Sequence, residues 1–146
     1  MQLTTKGRYA VMAMVDVARH GAGRAVSLAE IAARQDISLS YLEQLFARLR
    51  RAGLVKSVRG PGGGYRLSRA AAALSVSDIM LAVEEPLKVT RCTSGGAGCV
   101  RGERCLTHDL WTALGRQIET FLGAVSLQDV LDGRLDGAPR VEAAAA

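Results

Sequence analysis

All three cysteines of the chain fall in one stretch, residues 91–108, which reads R-C-T-S-G-G-A-G-C-V-R-G-E-R-C-L-T-H with the spacing C-x6-C-x5-C-x2-H. The thiolates of Cys92, Cys99 and Cys105 and the imidazole of His108 make a full four-ligand set for one metal centre. The glycines between the first two cysteines let backbone wrap closely around a bulky group. Cys105 and His108 stand three apart where a periodic helix begins, so both fall on one helical face. The competing reading, small buried cysteines and a helix histidine, fits poorly. The neighbours are Gly, Thr, Ser, Glu and Arg, with no apolar segment to bury the thiols. A disulfide would leave one cysteine over. Zinc sites usually pair ligands as C-x2–4-C, and the chain contains no C-x-x-C. The wider spacing suits a larger inorganic core, which favours an iron–sulfur cluster, with zinc as the alternative. A thiol enzyme using Cys105 with His108 as base would need an orienting residue and a substrate pocket. Neither is readable, so no enzymatic activity is expected.

Such a site needs reduced thiols and a scaffold. The N-terminal A-V-M-A-M-V-D-V-A run is broken by Asp16 and is too short for an export signal. No run approaches the ~18–20 apolar residues of a membrane span. The expectation is a cytoplasmic protein with no membrane partner. The 146 residues are 49% hydrophobic and 23% charged, enough for one domain plus an extended segment. Residues 1–70 carry 12 Lys/Arg against 4 Asp/Glu, a balance of +8, while residues 71–146 carry 7 against 10, a balance of −3. A basic N-terminal half points to a polyanion, here double-stranded DNA.

The periodicities supply the scaffold. Residues 5–20 read as a helix, with Tyr9, Met12, Ala13, Asp16 and Val17 at three- and four-residue spacing and Gly21 and Gly23 as its stop. Lys6 and Arg8 fall in its first turn, where cations oppose the helix dipole. An external phosphate would relieve that conflict, so both are candidate DNA contacts. Ser27-Leu28-Ala29-Glu30 is a capping box that opens a helix over residues 28–35. Asp36-Ile37-Ser38 forms a turn, and a second helix runs from a cap at Ser38 or Ser40 to about Arg51. Leu42, Leu45, Phe46 and Leu49 are its core stripe, and Gly53 ends it. Two short helices joined by such a turn make a helix-turn-helix, whose second helix enters the major groove by its N-terminal turns. Its candidate contacts are Ser38, Ser40, Tyr41, Glu43, Gln44, Arg48 and Arg51. Gln44 can pair with adenine, and Ser40 and Tyr41 can bond phosphate or base edges. Glu43 either accepts from a cytosine amino group as a specificity filter or completes a capping box with Ser40. Residues 54–67 then read as two strands around a Gly-Pro-Gly-Gly-Gly tip, the wing of a winged helix. Lys56, Arg59 and Arg66 flank the tip, and Arg59, Gly60 and Gly62 are candidate contacts to phosphate or minor groove.

Beyond the wing, Leu74 to Asp78 leads into a helix through about Glu84, with Pro86 as stop. Residues 87–91 are expected to be extended. From about Leu106 to Val125 the apolar residues Leu110, Leu114, Ile118, Phe121 and Val125 recur at helical spacing. A helix of this length, ~30 Å at 1.5 Å per residue, outreaches a small domain and is best buried against a second copy. Ser126 caps a final turn. The fold class is therefore mainly α: a winged helix-turn-helix with a short β-hairpin wing, a ligand loop and a long C-terminal dimerisation helix. The units are a DNA-binding domain over residues 1–70, a connecting helix and ligand loop over 71–104, and the dimerisation helix over 105–131. A Gly-, Pro- and Ala-rich tail over 132–146 is expected to be disordered.

Four stretches, L-T-T-K-G-R-Y-A-V at 3–11, I-S-L-S-Y-L-E-Q-L-F at 37–46, V-R-G-P-G-G-G-Y at 58–65 and C-L-T-H-D-L-W at 105–111, are specific together. Through them the chain resembles the Rrf-type family of winged-helix repressors, in its iron–sulfur assembly branch. The resemblance implies a homodimer that binds DNA and carries one [2Fe–2S] cluster per subunit on Cys92, Cys99, Cys105 and His108. It further implies the iron–sulfur assembly machinery as cluster donor. It implies DNA binding by the metal-free form at some sites, with Glu43 helping to separate site classes. Relatives responding to nitric oxide or iron share the fold, some with [4Fe–4S] clusters; the C-L-T-H block and the S-Y-L-E-Q helix favour the assembly branch. The loop between Cys92 and Cys99 is one residue longer than the usual family spacing, which leaves the ligand set intact.

Overall fold

The computed structural model describes residues 3–85, 87, 89 and 103–136 of the chain. Helix α1 spans Thr5–His20 and is closed by Gly21. Of its predicted stripe Ala13, Asp16 and Val17 are buried, joined by Ala10 and Met14, whereas Tyr9 and Met12 are half-buried. Helix α2 spans Leu28–Gln35. The Ser27 hydroxyl accepts from the Glu30 amide at 3.2 Å, and the Glu30 carboxylate accepts from the Ser27 amide at 2.8 Å. Asp36, left-handed at φ 53°, turns the chain, and α3 spans Leu39–Arg51. Its stripe of Leu42, Leu45, Phe46 and Leu49 is fully buried. The cap of α3 is Ser38, which accepts from the Tyr41 amide at 3.3 Å.

The wing pairs β1, Val55–Val58, antiparallel with β2, Gly64–Leu67, in the register Val55↔Leu67 to Val58↔Gly64. Its tip is a turn closed by the Gly63 amide donating to the Gly60 carbonyl at 2.9 Å, with Pro61 and the left-handed Gly62 (φ 72°) between them. Pro fixes φ at the second position of such a turn, and the third requires a positive φ. Val26 adds a bridge on the other side of β2, exchanging amide bonds with Tyr65 at 2.9 and 2.8 Å. Gly64 makes that approach possible: at φ 153°, a Cβ would sit 2.2 Å from the Val26 carbonyl oxygen. Phe46 and Tyr65 pack ring on ring at 4.8 Å and seat the wing on α3.

A 3-10 turn, Ala71–Ala73, leads to α4, Val76–Ala82. The expected end near Glu84 is corrected to Ala82, because Glu84 itself takes a left-handed φ of 58° and stops the helix. Helix α5 spans His108–Ala124 and α6 spans Leu127–Asp132. Ser75 and Ser126 each begin a capping box, with Asp78 and Asp129 respectively. The two caps lie back to back: the Val76 amide donates to the Val125 carbonyl and the Leu127 amide to the Leu74 carbonyl, both at 2.9 Å.

One apolar cluster runs through the molecule. Leu74, Ile79, Val83 and Leu127 join the α1 and α3 residues in it, so the core continues past residue 70. Helix α5 stands apart, packing mainly against α4. Only Gly115 of α5 is buried, and Leu110, Leu114 and Phe121 are 58%, 40% and 42% exposed. Of the predicted apolar stripe, these three are uncovered in the single chain, whereas Ile118 is half-buried and Val125 is buried against Val76 and Met80. Cys92, Cys99, most of the expected extended segment at 87–91 and the tail beyond residue 136 lie outside the described residues.

Candidate nucleic-acid interface and metal centre

Along α3 the structure sorts the expected contacts. Ser38, Ser40, Glu43, Gln44 and Arg51 are exposed, whereas Tyr41 and Arg48 are half-buried. Tyr41 meets Tyr9 of α1 edge-on, ring centroids 6.0 Å apart. Tyr9 was not foreseen as part of this face; its place on the inward stripe of α1 hid it. An open depression of about 520 Å³ separates the two helices, with Thr5, Tyr9, Ser40, Tyr41 and Gln44 on its walls. With Ser38 as the cap, Glu43 is not three residues past it, so the capping reading of Glu43 is overturned. Its carboxylate makes no hydrogen bond or ion pair among the described residues and faces solvent. Arg48, a candidate contact, pairs with Glu84, Nη1 to Oε2 at 2.6 Å.

Lys6 is half-buried and Arg8 exposed in the first turn of α1. The chain itself supplies one anion at this helix N-terminus. Glu85, 2% exposed, accepts from the amides of Thr4 at 3.1 Å and Gly7 at 3.0 Å and from the Thr4 hydroxyl. Burial opposes ionisation of Glu85; those hydrogen bonds and the charge of Lys6 outweigh it and hold its carboxyl below the usual range.

At the wing, Arg59, Gly60 and Gly62 are exposed at the tip. Behind it, a hollow of about 680 Å³ between the wing and the C-terminal end of α1 gathers Lys56, Arg66 and Arg69 over an apolar floor of Val17 and Leu67.

A second buried carboxylate braces the helix-turn-helix. Asp16 accepts from Arg34 Nη2 at 2.7 Å, Arg34 Nε at 3.0 Å and Gln35 Nε2 at 2.8 Å, fastening α1 to α2. The sequence put Asp16 on the inward face of α1, but nothing local named its partners.

At the metal-ligating stretch, Cys105 and His108 are both half-buried. His108 opens α5, and its amide donates to the Cys105 carbonyl at 3.1 Å. Cys105 Sγ lies 3.7 Å from the Thr107 hydroxyl, which also accepts from Trp111 Nε1 at 3.1 Å. Thiolate and imidazole are suitable donors for iron–sulfur or zinc, so these two residues fit the expected group. Among the described residues no three His, Cys, Asp or Glu side chains converge on one point, the other two expected ligands lying outside them. No described helix is long and apolar enough to cross a membrane.

Comparison with known proteins gives the context. The Rrf2 family model, described as an iron-dependent transcriptional regulator, matches residues 3–133. The chain is similar to the HTH-type transcriptional regulator IscR of Xenorhabdus nematophila, 55% identical over 142 residues covering 96% of this chain and 86% of that one. It is 54% identical to IscR of Yersinia enterocolitica over 134 residues, covering 92% and 81%. Among solved structures it matches T. potens IscR with a TM-score of 0.74 at 39% identity, covering 91% of this chain and 88% of that one. It matches CymR, the global cysteine regulator of B. subtilis, with a TM-score of 0.79 at 32% identity, covering 91% and 98%. These relatives are transcriptional regulators, not enzymes.

Proposed function

The chain belongs to the Rrf2 family of transcriptional regulators, and from that premise we propose a cytoplasmic homodimeric repressor that senses iron–sulfur supply through a [2Fe–2S] cluster and controls iron–sulfur assembly genes. The observation that carries the DNA-binding half is α3. Its N-terminal turns expose Ser40, Glu43 and Gln44 beside a wing whose tip exposes Arg59, Gly60 and Gly62. Gln44 suits adenine and Glu43 suits the cytosine amino group. Because Glu43 has no capping duty in α3, a filter role accounts for a carboxylate on a basic face. The uncovered Leu110, Leu114 and Phe121 of α5 support a second copy as partner. Such a dimer would set its two recognition helices on half-sites roughly 34 Å apart.

Cys92, Cys99, Cys105 and His108 would hold the cluster, delivered by the iron–sulfur assembly machinery. When bound, the cluster supplies an exchangeable, redox-active centre. A neutral imidazole in place of a fourth thiolate reduces the negative charge of the ligand set, which eases exchange and suits a sensor. The test is purification without oxygen, a visible spectrum, and assays of iron, sulfide and zinc, followed by binding to duplex DNA. A reddish protein with near two irons and two sulfides per chain, its colour lost in Cys92→Ala, is the expected result. A [4Fe–4S] spectrum would move it to another sensing class. Colourless protein with one zinc would make the ligand stretch a structural staple.

A further inference from the structure

Glu84 and Glu85 follow one another at the end of α4 and hold two different helices. Glu84 accepts from Arg48 of α3 at 2.6 Å. Glu85 caps α1 from a distance of some eighty residues in sequence, through the amides of Thr4 and Gly7 and the Thr4 hydroxyl. Helix α1 has no cap of its own: the Thr4 side chain makes no capping bond and the first turn contains no acid. Gly7 is matched to the contact, since a Cβ there would lie 2.7 Å from Glu85 Cγ and 2.9 Å from Oε2.

The backbone gives a second, independent sign. Helices α3, α4 and α6 end in the same doubly bonded motif. Leu54 and Gly53 donate to Leu49 and Arg50, Glu85 and Glu84 to Met80 and Leu81, and Arg134 and Gly133 to Asp129 and Val130. Its left-handed position is glycine in α3 (Gly53, φ 77°) and in α6 (Gly133, φ 70°), but glutamate in α4 (Glu84, φ 58°). Glycine is the unstrained choice there. The side chain that replaces it is 76% exposed, where an ion pair adds little stability. Strain of this kind persists where the residue serves something else.

We infer that Glu84 and Glu85 are positioning residues for the DNA-binding face. Glu85 sets the first turn of α1, with Lys6 and Arg8, and Glu84 sets Arg48 and the last turns of the recognition helix. The turn that leads from α4 toward Cys92 thereby grips both helices. The inference rests on the DNA-binding reading proposed above. Charge and positioning make opposite predictions. Removing either carboxylate subtracts negative charge beside Lys6, Arg8 and Arg48, which on charge alone tightens DNA binding; loss of positioning weakens it.

The experiment is duplex-DNA binding by fluorescence anisotropy, at several salt concentrations, for the full chain and its Glu84→Ala, Glu85→Ala and Glu85→Gln variants, with helix content followed by circular dichroism. Glu85→Ala is expected to weaken binding about tenfold and to flatten the log–log salt slope by about 1.8, two phosphate contacts' worth. Glu85→Gln, which keeps the shape and one acceptor oxygen, should fall between it and the wild type, and Glu84→Ala should bind more weakly, not more tightly. Simple destabilisation lowers the active fraction and leaves the slope alone. Unchanged or steeper slopes in both Glu85 variants, or tighter binding by Glu84→Ala, would overturn the inference. If Glu85→Ala does not fold, Glu85→Gln and Gly7→Ala carry the same comparison. A wild type that binds no duplex DNA would remove the functional proposal and this inference together, whereas a wild-type slope shared by every variant removes this inference alone.

Discussion

Cutting the brace between α1 and α2 gives a prediction whose size follows from exposure. The Asp16 side chain is 0% exposed and that of Arg34 30%. Deleting one partner of a fully buried ion pair costs about 3–5 kcal/mol, mainly by stranding the other charge. In Asp16→Ala the stranded group is Arg34, which reaches water and has Glu30 as an alternative partner at 3.8 Å, so the cost should lie near 3 kcal/mol, the low end. In Arg34→Ala the stranded group is a buried carboxylate with Gln35 as its remaining side-chain hydrogen-bond donor among the described residues, so the cost should be higher, near 4 kcal/mol. For a chain of this size, at about 2–4 °C per kcal/mol, Asp16→Ala should melt about 6–12 °C below wild type at matched protein concentration. In the double variant neither charge is stranded, and a mutant cycle should return a coupling of at least about 2 kcal/mol. The pH dependence follows from the direction of the shift. Burial pushes the Asp16 carboxyl up, but its bonds to Arg34 and Gln35 and the charge of Arg34 hold it below its ordinary value. A group depressed in the folded state contributes stability above its unfolded pKa and loses it as pH falls through the folded one. The gap between wild type and Asp16→Asn in urea unfolding should therefore be full at pH 7 and pH 5 and close only below about pH 4. A coupling under about 0.5 kcal/mol, or a gap already closed at pH 5, would refute the brace.

Gly64→Ala should unseat the wing, because its Cβ would meet the Val26 carbonyl at 2.2 Å; NMR should show the Val26–Tyr65 bridge lost, and DNA affinity should fall. The Glu30 carboxyl, held down to about 2 first by Arg24 and then by the Ser27 amide, should titrate in Arg24→Ala nearer its ordinary value. Since its folded pKa is lowered, the α2 cap should survive acid until pH falls toward 2, and a wild-type Glu30 titrating above 4 by carbon-detected NMR contradicts the assignment. Leu110→Ser with Leu114→Ser removes four apolar side chains from a two-fold contact, so at ~1 kcal/mol each the dimer dissociation constant should rise at least ~10³-fold by sedimentation equilibrium. A wild-type chain that sediments as a monomer would assign the exposed α5 stripe to something other than self-association.

What was readable in the sequence was whatever local chemistry decides. The stripe Leu42, Leu45, Phe46, Leu49 marked α3 because helical period and burial coincide there. The Ser27–Glu30 box marked the start of α2 because both partners lie within one turn. Gly-Pro-Gly-Gly-Gly marked the wing tip because its glycines and proline meet the φ demands of the turn. Where partners are distant the signal vanished. Glu85 reaches Thr4 across 81 positions, and Asp16 finds Arg34 across 18, so neither pair leaves a pattern a window can detect. The end of α4 was misjudged for a related reason: a left-handed glutamate is disfavoured on its own and persists only through its surroundings. Ser38 and Ser40 were equally good caps by composition, and choosing between them needed the register of the turn, on which the reading of Glu43 depended. Of the ligand set, Cys105 and His108 lie at the head of α5, but the helix begins at His108, so the expectation that the two share a helical face is corrected.

The paired caps at Ser75 and Ser126 have a consequence for how such a chain can change over evolution. The backbone departs at Leu74–Val76 and returns at Val125–Leu127, joined there by two amide bonds of 2.9 Å. Everything between is thus an excursion that begins and ends at one address on the core. The entropy of closing an excursion rises only about 0.6 kcal/mol for each doubling of its length. Beyond α4, whose residues the core needs, the loop and α5 can therefore gain or lose residues at small thermodynamic expense to the helix-turn-helix. A lineage can thus change the length of the excursion while the helix-turn-helix stays as it is.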